Sequence, residues 1–227
     1  MAELYKNKYR SDTARLKNWN YASEAMYFVT ICTKDRHHYF GKIVNGAASE
    51  NDKIIAHCEY TEIGQIAQSE WYKTAEIRSD MNLELGAFVV MPDHVHGIVM
   101  IGANNYNSNG GAMRDGGAAH DGDVAHDGDA AHDGDAVFDR DAMHGVPING
   151  KTATNYKNQF APQSKNLASI IRGYKSAVTT YARKNGIAFD WQTRFYDHII
   201  RSMDAYVRIS EYIHNNPHKW LQDKAKR

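Results

Sequence analysis

The stretch from Leu83 to Ile101 places the tightest limits on what this chain can fold into. It holds two apolar runs, Leu83 to Val90 and His94 to Ile101, separated only by Met91-Pro92-Asp93. Pro92, Asp93 and two histidines interrupt it too early for a membrane span, and so short a connection suits adjacent antiparallel strands. A β-hairpin is predicted there.

The flanking periodicities supply the rest of the fold. Met26 to Thr33 is rich in β-branched and aromatic residues and reads as a strand. Thr61 to Arg78 carries Ile63, Ile66, Ala67, Trp71 and Ala75 near helical spacing, with Thr61 as N-cap. Leu167 to Lys184 reads as a second helix stopped by Asn185-Gly186, Phe195 to Arg201 as a fourth strand, and Asp204 to Asn216 as a third helix ended by Pro217. The order strand, helix, strand, strand, helix, strand, helix predicts an α+β fold of ferredoxin-like or RRM-like type, an antiparallel sheet with helices on one face.

One segment stands apart. From His120 to Val137 the chain reads HDGDVA HDGDAA HDGDAV, a six-residue repeat with almost no side chains to bury. Ordering costs of about 1–2 kcal/mol per residue would go unmatched there, so a long disordered acidic loop is expected from about 102 to 165. Its histidines and aspartates also invite a metal reading, but the period differs from that of nine-residue calcium-binding repeats. The remainder, about 165 residues, suits one domain, so residues 1–227 are expected to form a single interrupted domain.

The loop also hides the charge of the body. The formal net charge is +0, yet residues 102 to 146 hold nine acids against two bases, leaving 25 bases against 18 acids elsewhere. A basic body suits a polyanionic partner. Two cysteines, Cys32 and Cys58, exclude a disulfide scaffold, and the N-terminus lacks a signal-type apolar run; a cytoplasmic protein without membrane association is expected.

Chemistry concentrates at two places. His94 and His96 are two apart at the start of a strand, so both imidazoles face one way and can share a divalent metal if a third ligand approaches. Alternation would point Asp93 to the opposite face from His94. In SEYIHNNP, Tyr212 and Asn216 are four apart and share a helix face. A phenol can serve as a covalent nucleophile and an amide oxygen suits Mg²⁺ or Mn²⁺, although a tyrosine between Ile209 and Ile213 also reads as a core aromatic. Asn216 precedes a proline, which disfavours helical geometry at that position and predicts a frayed last turn.

MPDHVHGIVM, WQTRFYDHIIR and EYIHNNPHKW, in that order, resemble the REP-associated tyrosine transposases, a branch of the single-tyrosine HUH transposases of insertion sequences. The resemblance spans most of the chain outside the loop. It implies a metal-dependent nickase and strand transferase acting on single-stranded, hairpin-forming repeat DNA. His94 and His96 then match the metal pair, Asn216 the third ligand, and Tyr212 the nucleophile that forms a 5′-phosphotyrosine intermediate, with Mg²⁺ or Mn²⁺ as cofactor. Tyr181, with Asn185 four residues on, competes for the nucleophile role. Relatives of both monomeric and dimeric habit leave monomer and homodimer open.

Residues 166 to 227 hold eleven bases against five acids, so DNA contacts are expected from Arg172, Lys175, Arg194, Arg201 and Lys219. Trp191, Phe195 or Tyr196 are candidates for base stacking, and His198 for a supporting contact. The alternative is a non-catalytic single-stranded nucleic-acid-binding module on the same fold; a water-activating metallohydrolase is a third reading, which lacks an obvious carboxylate base.

Overall fold

The computed structural model describes residue 16 and residues 19–48, 54–107 and 164–225. The HDGDA-type repeat, and with it the expectation of a disordered loop, lies outside the described residues. In chain order the elements are β1 (Ala25–Cys32), β2 (Gly41–Ala48), β3 (Ile54–Tyr60), α1 (Glu62–Ile77), β4 (Leu83–Val90), β5 (His94–Ile101), α2 (Leu167–Lys184), β6 (Tyr196–Ile200) and α3 (Met203–Ala225).

A four-stranded antiparallel sheet in the order β4-β5-β1-β6 forms the centre. The fold class is α+β, with β1, α1, β4, β5, α2 and β6 in the ferredoxin-like sequence of elements. The turn predicted between the apolar runs closes as expected, with the Met91 amide donating to the His94 carbonyl at 2.8 Å. β1 and β5 are the two inner strands, which explains why both read as nearly continuous apolar runs.

Helix ends follow their caps. Thr61 caps α1, its side-chain oxygen accepting from the Gly64 amide, and Asn166 closes a capping box with Ser169 at the start of α2. Past Asn185, Gly186 takes a left-handed φ of 65°, a conformation that costs glycine little.

Several expectations require correction. A second, two-stranded sheet pairs β2 with β3, with a register irregularity between Asn45 and Ala48, where no strands were predicted. Helices cover both faces of the main sheet rather than one. α1 and α2 bury Tyr27, Val29, Ile31, Val95 and Val99 on one side. α3 lays Ala205, Ile209 and Ile213 on Phe28, Ile98 and Ile200 of the other. Alternation along the inner strands gives both faces an apolar set, so each can take a helix.

α3 also runs through Pro217 to Ala225 instead of ending at Asn216. An interior proline forfeits a backbone hydrogen bond and crowds the preceding turn. Here Pro217 is buried, and the turns beyond it are anchored by Trp220, whose ring lies 5.7 Å from that of His38 and 6.1 Å from that of His94. Packing overrides the local preference. Asn216 therefore sits in the helix interior, buried, and not in a frayed end.

At the far end of β5, residues 102–107, expected within the loop, fold back on the connection between α1 and β4. Asn104 donates to the Met81 and Gly102 carbonyls, both at 2.9 Å. Asp80 accepts from the Tyr106 hydroxyl at 2.7 Å and pairs with Lys165, whose ammonium lies 4.9 Å from the Tyr106 ring centroid. Both roots of the insertion thus meet at one carboxylate. Among the described residues no helix is long and apolar enough to cross a membrane.

Candidate functional site

β5 opens directly on His94, and its register opposite β1, Cys32↔His94 and Thr30↔His96, turns both imidazoles to the face that carries α3. They are 5% and 6% exposed, and their Nε2 atoms stand 3.0 Å apart. Each ring is held from behind. His94 Nδ1 lies 2.6 Å from Asp93 Oδ1, and His96 Nδ1 lies 2.8 Å from Thr30 Oγ1.

The position of Asp93 is a correction. Strand alternation does not reach it, because it belongs to the turn and the strand begins one residue later. Its carboxylate lies alongside the His94 ring and also pairs with Arg36 Nε at 3.1 Å. Arg36 in turn donates from Nη1 to Cys32 Sγ at 2.9 Å. A turn in which Asp35 and Arg36 take left-handed φ of 52° and 55° delivers that guanidinium; such angles are uncommon outside glycine.

The electrostatics favour ligation. Burial pushes the Asp93 carboxyl up, but the hydrogen bond and charge of His94, with Arg36 and His38, outweigh it and hold the carboxyl below its ordinary value. An ionised Asp93 can accept a proton from His94 Nδ1, and in a neutral ring that arrangement leaves the lone pair on Nε2. Burial first, then the neighbouring charges of His94 and Arg36, keep His96 well below the usual imidazole range and therefore neutral near pH 7. At 3.0 Å the two Nε2 atoms are within hydrogen-bonding distance, and with His96 neutral its Nε2 can accept a proton from His94 or, when both rings are neutral, the pair can face one cation. Both nitrogens would be available to hold one divalent cation. Among the described residues no group of three histidine, cysteine or carboxylate side chains is disposed to hold a metal ion; Asn216, the third ligand expected from the sequence, is buried on α3.

α3 crosses this face with Tyr212, Asn216 and Trp220 at intervals of four, one stripe of the helix. The Tyr212 ring is 5.5 Å from that of His96 and meets Phe28 edge-on at 6.2 Å. Trp220 stands beside His94, and buried Asn216 lies between Tyr212 and Trp220 along the helix. Lys219 Nζ is 6.0 Å from the Tyr212 ring centroid.

The other tyrosine candidate lies elsewhere. Tyr181 packs against the α1/α2 core and donates its hydroxyl to Glu62 at 2.8 Å, on the opposite side of the sheet from the histidines. Of the expected DNA contacts, Tyr196 and His198 lie on the histidine face of β6, opposite Thr30 and Phe28 in register, and Tyr196 is 42% exposed. Burial, then the charge of Arg201, lowers His198 from its ordinary value. Arg172 and Arg194 are exposed, on α2 and in the segment before β6.

Two candidates are structural. Trp191 is buried against Phe40 and Phe189 and donates its indole N–H to the Lys175 carbonyl, so its ring is not offered to a base. Lys175 donates to the carbonyls of Gln192 at 2.5 Å and Thr193 at 3.4 Å, and burial lowers it to about 8. It fixes the segment that leads into β6. Sequence reasoning missed Asp93, Arg36, Thr30 and Trp220. The last was within reach, because it continues the Tyr212–Asn216 spacing once the helix is allowed past Pro217.

No family model matches the chain. A solved structure of a REP-associated tyrosine transposase bound to a REP hairpin is similar over 92% of this chain and 74% of its own, with 17% sequence identity and a TM-score of 0.44. A Haemophilus influenzae protein of uncharacterised function is 30% identical over 211 residues, covering 92% of this chain and 89% of that protein. Agreement of that extent, running nearly end to end in both proteins, means that the chain belongs to the same family as this Haemophilus influenzae protein.

Proposed function

We propose that the chain is a metal-dependent endonuclease and strand transferase for single-stranded, hairpin-forming DNA, a transposase-type enzyme working as one domain with Tyr212 as its nucleophile. The observation that carries this reading is the facing of the two histidine Nε2 atoms, 3.0 Å apart, by a helix bearing Tyr212 with its ring 5.5 Å from His96. A binding module needs neither the buried histidine pair nor a phenol beside it. The motif resemblance of MPDHVHGIVM and EYIHNNPHKW points the same way.

His94, His96 and Asn216 are the residues that would hold Mg²⁺ or Mn²⁺, and the ion would neutralise charge on the scissile phosphate. Asp93 and Thr30 fix the two rings so that both Nε2 atoms stay directed at the same point. The Tyr212 phenolic oxygen forms a bond to phosphorus as the bond from phosphorus to the 3′-oxygen breaks. The phenolic proton passes to solvent and the departing 3′-oxygen takes one up. The product is a 5′-phosphotyrosine with a free 3′-hydroxyl, and attack by another 3′-hydroxyl reverses the step, rejoins the strand and restores the phenol. No nucleotide cofactor enters the balance.

Tyr212→Phe tests the role. It should abolish cleavage of a labelled hairpin oligonucleotide in Mg²⁺ or Mn²⁺ while leaving affinity for the DNA nearly intact. Equal loss of both would overturn the assignment, and cleavage without a protein adduct would favour a water-activating hydrolase.

A further inference from the structure

We propose that Trp220 is a stacking platform for an unpaired DNA base next to the scissile phosphate, with Lys219 and Lys224 contacting the flanking backbone. This deepens the nuclease reading and rests on it for the identity of the ligand. Trp71 and Trp191 are core residues, 0% and 8% exposed, but Trp220 is only half-buried and lies beside the histidine pair. Among the described residues, no aromatic neighbour stacks parallel on it. His38, itself exposed, meets the indole at 60° and His94 at 41°.

The surroundings favour a strand of nucleic acid over an apolar partner. Lys224 Nζ is 5.9 Å from the Trp220 ring centroid and Lys219 Nζ 6.0 Å from that of Tyr212, so cations flank the stripe formed by Tyr212, Asn216 and Trp220. Asp223 is the acid on the same turn. From Tyr212 to Trp220 the helix advances about 12 Å, which spaces an indole away from the phenol along the path a strand must take past His96 and His94. An aromatic face bordered by cations is how single strands are held without regard to sequence. The two turns of α3 beyond Pro217 are what provide it.

The test uses the full chain carrying Tyr212→Phe, which does not cleave, and a short oligothymidylate as probe. Adding the oligonucleotide should quench tryptophan fluorescence, and Trp220→Phe should abolish the quench while keeping most of the affinity. Trp220→Ala should weaken binding about tenfold or more with Mn²⁺ affinity unchanged. Unchanged DNA affinity in Trp220→Ala, or parallel loss of DNA and Mn²⁺ affinity, would overturn the proposal and leave the indole as a shield for the histidines. If Trp220→Ala fails to fold, Lys219→Gln and Lys224→Gln decide. Each should flatten the dependence of log affinity on log salt by about 0.7, and an unchanged slope would overturn the proposal. Because the protein used does not cleave, absence of nuclease activity in the unmodified chain would count against the role of Tyr212 and not against stacking.

Discussion

In the proposed enzyme Asp93 would set the tautomer of His94 and, through it, the affinity for the metal. Its carboxylate sits 2.6 Å from Nδ1, so replacing it with an amide keeps the shape and removes the charge that orders the ring. Asp93→Asn should weaken Mn²⁺ binding about 10–100-fold, read by calorimetry, with the far-ultraviolet circular dichroism unchanged. Equal affinity would mean that the histidine is oriented by packing alone. The sequence pointed to His94 and His96 because strand alternation holds for both, and it misdirected Asp93 because alternation stops where the turn begins. A second prediction concerns Lys175, lowered by burial from 10.5 to about 8. Between those values the unfolded chain binds the extra proton, so this residue makes stability rise with pH from about 8 to 10.5. The difference in unfolding free energy between the native protein and Lys175→Met should show that slope, and a flat difference would contradict it.

Elements differ in how openly the sequence declares them. The bounds of β4, β5 and α2 match the apolar runs and stop signals residue for residue, since local propensity, periodicity and packing agree there. The β2/β3 pair was hidden because GKIVNGAA mixes small and polar residues and offers no clean alternation. α3 was cut short by a sound local rule that burial of Pro217 and packing of Trp220 overrule. Contact between elements is as demanding as their limits. A methyl group on Gly97 of β5 would come within 2.3 Å of the Trp71 ring of α1, in a core where that ring stacks on Phe88 at 4.6 Å. Gly97→Ala should destabilise the fold by about 1–3 kcal/mol, measured by urea unfolding. No loss would mean that α1 can slide on the sheet.

On the scale of the whole molecule, His94 and the described residues that precede the acidic insertion lie at opposite ends of β5, about 23 Å apart along the strand. Tyr106 and Lys165, from either side of the insertion, are tied at Asp80, which predicts that the strands keep their places when residues 108–163 are exchanged. Replacing them by a short Gly/Ser linker should leave the melting temperature within a few degrees, about 1 kcal/mol for a chain of this size, as read by calorimetry. A larger fall would assign the insertion a share in the core. Covalent capture of the DNA bears most directly on the chain as an enzyme. The unmodified protein, a labelled pool of single-stranded hairpin oligonucleotides and Mg²⁺ or Mn²⁺ would be combined, resolved under denaturing conditions, and any adduct mapped by mass spectrometry. An EDTA-sensitive adduct on Tyr212 is expected; an adduct on Tyr181, or DNA bound tightly with neither cleavage nor adduct, would contradict the proposed mechanism.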